Sequence, residues 1–278
     1  MSFSQWGHAS GGFLLSVWLL SPDALLAGDK IRIQGNSCLA RIDPSSLEVS
    51  LQSGKCPEFV VSVAQTNLGR AANAEWGGSA NPGKARWSLP DRKVSLSFTI
   101  EGSRLVVHIL AAEPGEFTFP IIPAKAPAAT GWILPLYEGA YAPCGDARWE
   151  TFLINRGELN TTADLALPFL GLDYHPEAPI SPWTLTCILT NPFNNQLSFA
   201  RAPDNTLQAR LTHQFTRNHP VKEYAVIFEV GTNSRVEPAR LYRQWLVERG
   251  EFVSFRDKMR RTPEAGKLPG AAHVYLWG

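Results

Sequence analysis

Four carboxylates lie among aromatic side chains in this sequence: Glu138, Asp146, Glu150 and Asp173. Two carboxyl groups held close together could divide general-acid and general-base work between them. Glu138 and Asp146 stand in a stretch that reads as loop, so no helical or strand period fixes their separation. The same stretch interleaves Trp132, Tyr137, Tyr141 and Trp149 with Glu138, Asp146 and Arg148. Ring faces beside hydrogen-bonding groups suit a sugar, whose C–H surface stacks while its hydroxyls bond. Glu138, Tyr141, Asp146 and Trp149 are therefore candidate sugar-contact residues. The competing reading makes these aromatics the packed rim of a folded core. A third has the loop forming one wall of a pocket completed by another domain.

Other chemistry is thinly represented. His213 and His219 have no acidic third ligand at useful spacing, which argues against a metal site, and no cofactor is expected. His108 falls in an apolar strand and suits a hydrogen-bonded core or edge position. His175, beside Asp173 and Tyr174, reads as exposed. Paired with Glu223 or Glu138 it could serve as the acid of a mutarotase-like acid/base couple. Cys38, Cys56, Cys144 and Cys187 show no zinc-type spacing, and three full disulfide pairings remain open to them if the protein is exported. Cys144 has no base nearby to activate it and reads as a buried thiol or half-cystine.

The elements that must position these groups are mostly strands. A chain of 278 residues with 44% hydrophobic and 18% charged residues is a folded globular chain, and its 21 prolines and 22 glycines imply many short elements joined by turns. All-β domains can reach about 200–250 residues undivided, so length does not force two domains. The 26 Lys and Arg nearly cancel the 25 Asp and Glu, which leaves no overall field to attract nucleic acid. A local excess of basic over acidic residues from Arg235 to Lys267 reads as a solvated helical face.

From Lys93 to Glu101, Val94, Leu96, Phe98 and Ile100 alternate with polar residues, Gly102-Ser103 can turn, and Arg104 to Ala111 returns. This predicts a β-hairpin with one buried face. Further strands are expected at 30–34, 38–42, 47–52, 59–64, 117–121, 132–136, 183–190, 196–201, 208–215 and 223–230. Their number implies two stacked antiparallel sheets, a large sandwich over residues 28–232. Pro123 to Thr130 reads as a surface connection.

Helical spacing takes over in a linker at 233–271. Leu241, Tyr242, Trp245 and Leu246 share a stripe, Pro238 sits in the first turn, and Gly250 follows the last. Ser234 and Glu237 have capping-box spacing, and a second short helix is expected from Ser254, with Asp257 at its third position, to just before Pro263. The unalternated apolar run Ala272 to Gly278 then reads as the first strand of a parallel barrel that continues further. At the other end, Phe13 to Leu20 is too short to cross a bilayer and, with Leu25 to Ala27, resembles a signal peptide spanning 1–27, although residues 1–12 hold no Lys or Arg. An exported protein with no membrane span follows.

Three stretches resemble glycoside hydrolase family 129, which is related to the family 101 endo-α-N-acetylgalactosaminidases: GWILPLYEGAYAP at 131–143, LPFLGLDY at 167–174, and YRQWLVERGEFVSFRDKMRRTPEAGKLPGAAHVYLWG at 242–278. The resemblance implies a galactose-mutarotase-like supersandwich preceding a (β/α)8 barrel, and retaining hydrolysis of α-linked N-acetylgalactosamine. It places Trp277 at the C-terminal end of the first barrel strand, towards the site, because barrel enzymes carry their chemistry there. The family's catalytic carboxylates lie in later strands, so no catalytic residue is assigned. The glycan partner would be met chiefly through the barrel. A carbohydrate-binding module and a mutarotase-like epimerase are the alternatives, and oligomeric state is not legible.

Overall fold

The computed structural model describes residues 30–77, 82–124, 129–219 and 222–270. The expected signal and the expected strand Ala272–Gly278, with Trp277, lie outside the described residues.

Strands β1 (Ile31–Gln34), β2 (Cys38–Ile42), β3 (Val49–Ser53) and β4 (Phe59–Ser62) form an antiparallel meander. The chain continues through β5 (Ala72–Trp76), β6 (Lys84–Leu89), β7 (Val94–Glu101), β8 (Arg104–Ala111), β9 (Gly115–Pro123), β10 (Ala129–Leu134) and β11 (Ala140–Pro143). Helix α1 (Ala147–Asn155) precedes β12 (Leu159–Asn160), β13 (Phe169–Tyr174), β14 (Trp183–Leu189), β15 (Asn195–Arg201), β16 (Leu207–Phe215) and β17 (Glu223–Thr232). Helices α2 (Glu237–Glu248) and α3 (Phe255–Arg261) follow.

One sheet has nine strands in the order β11-β10-β13-β14-β17-β8-β7-β6-β5. Facing it, β12-β15-β16-β9 continues into the β1–β4 meander, because the Val63 amide donates to the Ile121 carbonyl at 2.9 Å and the Ile121 amide to Ser62 Oγ at 3.2 Å. The result is the expected antiparallel two-layer sandwich. Ring contacts cross between the layers: Phe59 meets Tyr174 and Trp183 at 5.1 and 5.6 Å, Phe119 meets Phe98 and Phe228 at 6.1 and 6.4 Å, and Trp132 meets Phe199 at 5.4 Å. Val94, Leu96 and Phe98 are buried as their alternation predicts, and Gly102, at φ +63°, makes the left-handed turn of the hairpin.

Helix α2 covers an apolar part of the outer face of the nine-stranded sheet. Val106, Phe169, Ile188 and Ile227 from four strands pack against Trp245, Tyr242 and Leu246. Burying an aliphatic or Phe side chain such as Phe169 or Ile227 there stabilises by about 1.5–3 kcal/mol. Gly171 makes the close approach possible, since a Cβ at that position would lie 2.4 Å from Pro238 Cγ. At the far end of α2, Arg104 Nε donates to buried Glu229 at 2.7 Å while its other guanidinium nitrogens reach Glu248.

Two expectations change. The capping box at Ser234 does not form: Val236 is the N-cap residue, and Glu237 folds back so that its carboxylate accepts the Thr232 amide at 3.2 Å and fills the space left by Gly231. The carboxylate therefore serves the end of a strand rather than its own helix. The box at Ser254 and Asp257 is present, with the Asp257 amide donating to Ser254 Oγ at 3.1 Å. Ala129 and Thr130 open β10 instead of ending a connection. Among the described residues no helix is long and apolar enough to cross a membrane.

Candidate functional site

The turn after β10 is sharp. Tyr137 adopts φ +54° and Gly139 φ +113°, and an isolated bridge from Leu136 to Leu165 ties the turn to the chain ahead of β13. The turn leaves the Tyr137 side chain outside, 73% exposed, with Glu138 exposed beside it. Tyr141 on β11 faces the same way, and its ring lies over Gly131 of β10, where a Cβ would come within 2.3 Å of it. The Arg235 guanidinium covers that ring, 3.9 Å from its centroid. These residues, with Leu167 and Val236, line a cleft of about 400 Å³ between the turn and the start of α2. An exposed ring, a carboxylate, a guanidinium and apolar walls can together grip a polar ring-shaped ligand.

Glu138 and Tyr141 are thus brought into one cleft; Asp146 and Trp149 are not part of it. Asp146 caps α1, accepting the Arg148 and Trp149 amides at 2.9 and 3.2 Å. Trp149 is half-buried, meets Phe152 edge to face at 5.8 Å, and packs on the core. Glu150 points inward, accepts the Gly145 amide at 2.9 Å and pairs with Arg201. Asp173 is buried and accepts from Thr184 Oγ1 at 2.5 Å. The hydrogen bonds recorded for these three carboxylates are all to the fold itself. Trp132, fully buried, belongs to the core, as the competing reading of the aromatics has it.

His175 and Glu223 are not a couple. His175 follows Tyr174, which shares its row with Trp183 and Thr232 at one end of β17, whereas Glu223 begins that strand at the other end. His175 Nε2 bonds Asn233 at 3.1 Å, and Glu223 instead meets His108 at 2.8 Å on the exposed sheet face. His213 is buried, with Nδ1 2.7 Å from Asn195 Oδ1, and burial lowers its pKa to about 4. Among the described residues no group of three or more His, Cys, Asp or Glu is placed to hold a metal ion. The four cysteines are free thiols, and burial pushes Cys38 up to about 11 and Cys144 up to about 12, the latter helped by Glu150 and Asp173. A thiol held protonated in this way is a poor nucleophile.

Sequence reasoning missed Arg235 in the cleft and α1 behind it. The helix did carry signals, with Asp146 at its N-cap and Gly157, at φ +66°, just beyond its end. Nothing in the sequence sets Arg235 over Tyr141.

No family model matches the chain, and no curated protein does. Solved structures do match. Alpha-N-acetylgalactosaminidase NagBb from Bifidobacterium bifidum, ligand free, aligns with a TM-score of 0.63 at 12% identity over 86% of this chain. Its GalNAc complex and its Gal-NHAc-DNJ complex align with TM-scores of 0.62, also at 12% identity. The chain spans 42% of the length of those structures. At this identity the likeness is one of fold.

Proposed function

We propose that this chain is the N-terminal, non-catalytic sandwich of a retaining glycoside hydrolase of the family 129 type, acting on α-linked N-acetylgalactosamine or a related glycan. The observation that carries the reading is the extent of the fold match, 86% of this chain but 42% of a structure described as an alpha-N-acetylgalactosaminidase. The three sequence stretches that resemble the family support it independently. So does the use of the acids: retaining hydrolysis needs two carboxyl groups about 5–5.5 Å apart and free to act. Asp146, Glu150 and Asp173 are hydrogen-bonded to the fold. In this reading residues 1–27 export the protein, 28–232 form the sandwich, 233–271 link it onward, and 272–278, with Trp277, begin the barrel. The 278-residue chain is expected to release nothing from an aryl α-N-acetylgalactosaminide, and a gene product extended past Gly278 is expected to release the aglycone. Hydrolysis by the 278-residue chain would overturn the non-catalytic role, and inactivity of a folded extended product would overturn the substrate class.

A second reading, a carbohydrate-binding module, is favoured by the cleft at Tyr137, Glu138, Tyr141 and Arg235. Titration calorimetry of the chain with mucin-type glycans tests it. Absence of heat with a folded chain would remove it.

A further inference from the structure

The outer face of β5 to β7, with the Leu110 end of β8, lies beyond the cover of α2 and bears a trough of about 510 Å³ lined by both apolar and polar groups. Strand register sets its walls and floor. Glu75, Arg86, Ser97 and His108 occupy one cross-strand row, and Ser88, Ser95, Leu110 and Glu223 the next. Glu75 and Arg86 pair at 2.7 Å on one side, and His108 and Glu223 at 2.8 Å on the other. Between them the short side chains of Ser95 and Ser97 form a floor. Neither hydroxyl has a hydrogen-bond partner among the described residues, although Ser97 is half-buried. Strands about 4.8 Å apart put the two walls roughly 10 Å from each other.

We infer that this trough is a second binding site, for an uncharged saccharide, built from the serine floor of β7 between the Glu75–Arg86 and His108–Glu223 pairs. Arg86 offsets Glu75, and Glu223 is hydrogen-bonded to His108, so the trough presents no cluster of one sign for a polyanion and, among the described residues, no group of carboxylates and histidines placed for a metal cation. What it offers is a mixture of acceptors, donors and hydroxyls that do both, with half-exposed Leu110 as an apolar surface. Sugars present that same mixture, hydroxyls that donate and accept around a ring with C–H faces. The inference is independent of the glycosidase reading and of the cleft beside Tyr137.

The test is an NMR titration of isotope-labelled 278-residue chain with N-acetylgalactosamine, galactose and glucose at millimolar concentrations. Saturable shifts are expected at Ser95, Ser97 and His108 with at least one sugar. Ser97→Leu, which fills the floor from the solvent side, is expected to weaken that binding about tenfold or more. Should Ser97→Leu not fold, Arg86→Ala, an exposed side chain, takes its place with the same expectation. Shifts confined to Tyr137 to Tyr141 would overturn the inference while leaving the cleft reading standing. Absence of shifts with all three sugars, or binding unchanged by the substitution, would also overturn it.

Discussion

The guanidinium of Arg235 lies 3.9 Å from the ring centroid of Tyr141, and the same ring lies over Gly131, so two distant segments of the chain hold one aromatic side chain in place. The segment entering α2 is thereby fixed to the edge of the nine-stranded sheet. With Tyr141 engaged on both its neighbours, Tyr137 is the ring that stands free at the cleft.

Two substitutions separate these contacts. Arg235→Ala is expected to cost about 0.5–1 kcal/mol, the worth of a cation–π contact near the surface. Gly131→Ala forces the ring aside and is expected to cost more, about 1–3 kcal/mol. Urea unfolding followed by tryptophan fluorescence measures both, and equal stability of Gly131→Ala and the parent would contradict the packing described.

Arg104 joins β8 to β17 and α2. Its side chain is 14% exposed and that of Glu229 8%. Removing the cation leaves a carboxylate buried without its charge partner, so Arg104→Ala is expected to destabilise by about 3 kcal/mol. Glu248 is half-exposed, and Glu248→Gln is expected to change stability by less than about 1 kcal/mol. Comparable losses for the two variants would place the weight of the latch at the helix instead.

His213 makes stability depend on pH. Its Nδ1 donates to Asn195 Oδ1, because the Asn195 amide nitrogen is already donating to the Asn191 carbonyl at 2.6 Å. The folded pKa of about 4 lies below the unfolded value of about 6.5. Between those values the unfolded chain holds the extra proton, so this contribution is full above about pH 6.5 and is lost as pH falls towards 4, by up to about 1.4 kcal/mol per pH unit. His213→Gln is expected to flatten that part of the stability profile by one proton. An NMR titration midpoint for His213 near 6.5 in the folded protein would refute the assignment.

The thiols give a fourth test. Cys38 and Cys187 are buried, and burial raises the pKa of both. Neither is expected to react with a thiol dye at mildly alkaline pH until the chain unfolds, and rapid labelling of the native chain at both positions would show the core to be open there.

At several strands with one face on the core and the other in solvent, the pattern in the sequence was sufficient, although β6, which also alternates, was not expected from it. The hairpin of β7 and β8 shows this, as do the strands at Cys38–Ile42 and Leu207–Phe215. The strand β13 was not read as one: all six of its residues are buried, on one side by the core and on the other by α2, and unlike the equally buried β14 it has no β-branched residue and carries Gly171 in its middle. Strand β5 escaped for the opposite reason: it is a polar sheet edge with an irregular register and Asn73 at φ +53°.

By itself the sequence determined the two-layer β architecture, the amphipathic stripe of α2 and the cap of α3, because each follows from periodicity or from residues within a few positions of one another. Tertiary structure alone decided that Glu237 closes a strand end, that Glu223 meets His108 rather than His175, and that Arg235 lies over Tyr141. Those pairings depend on strand order and register across the sheets, which set distances between residues far apart in the chain and leave no periodic trace in the sequence.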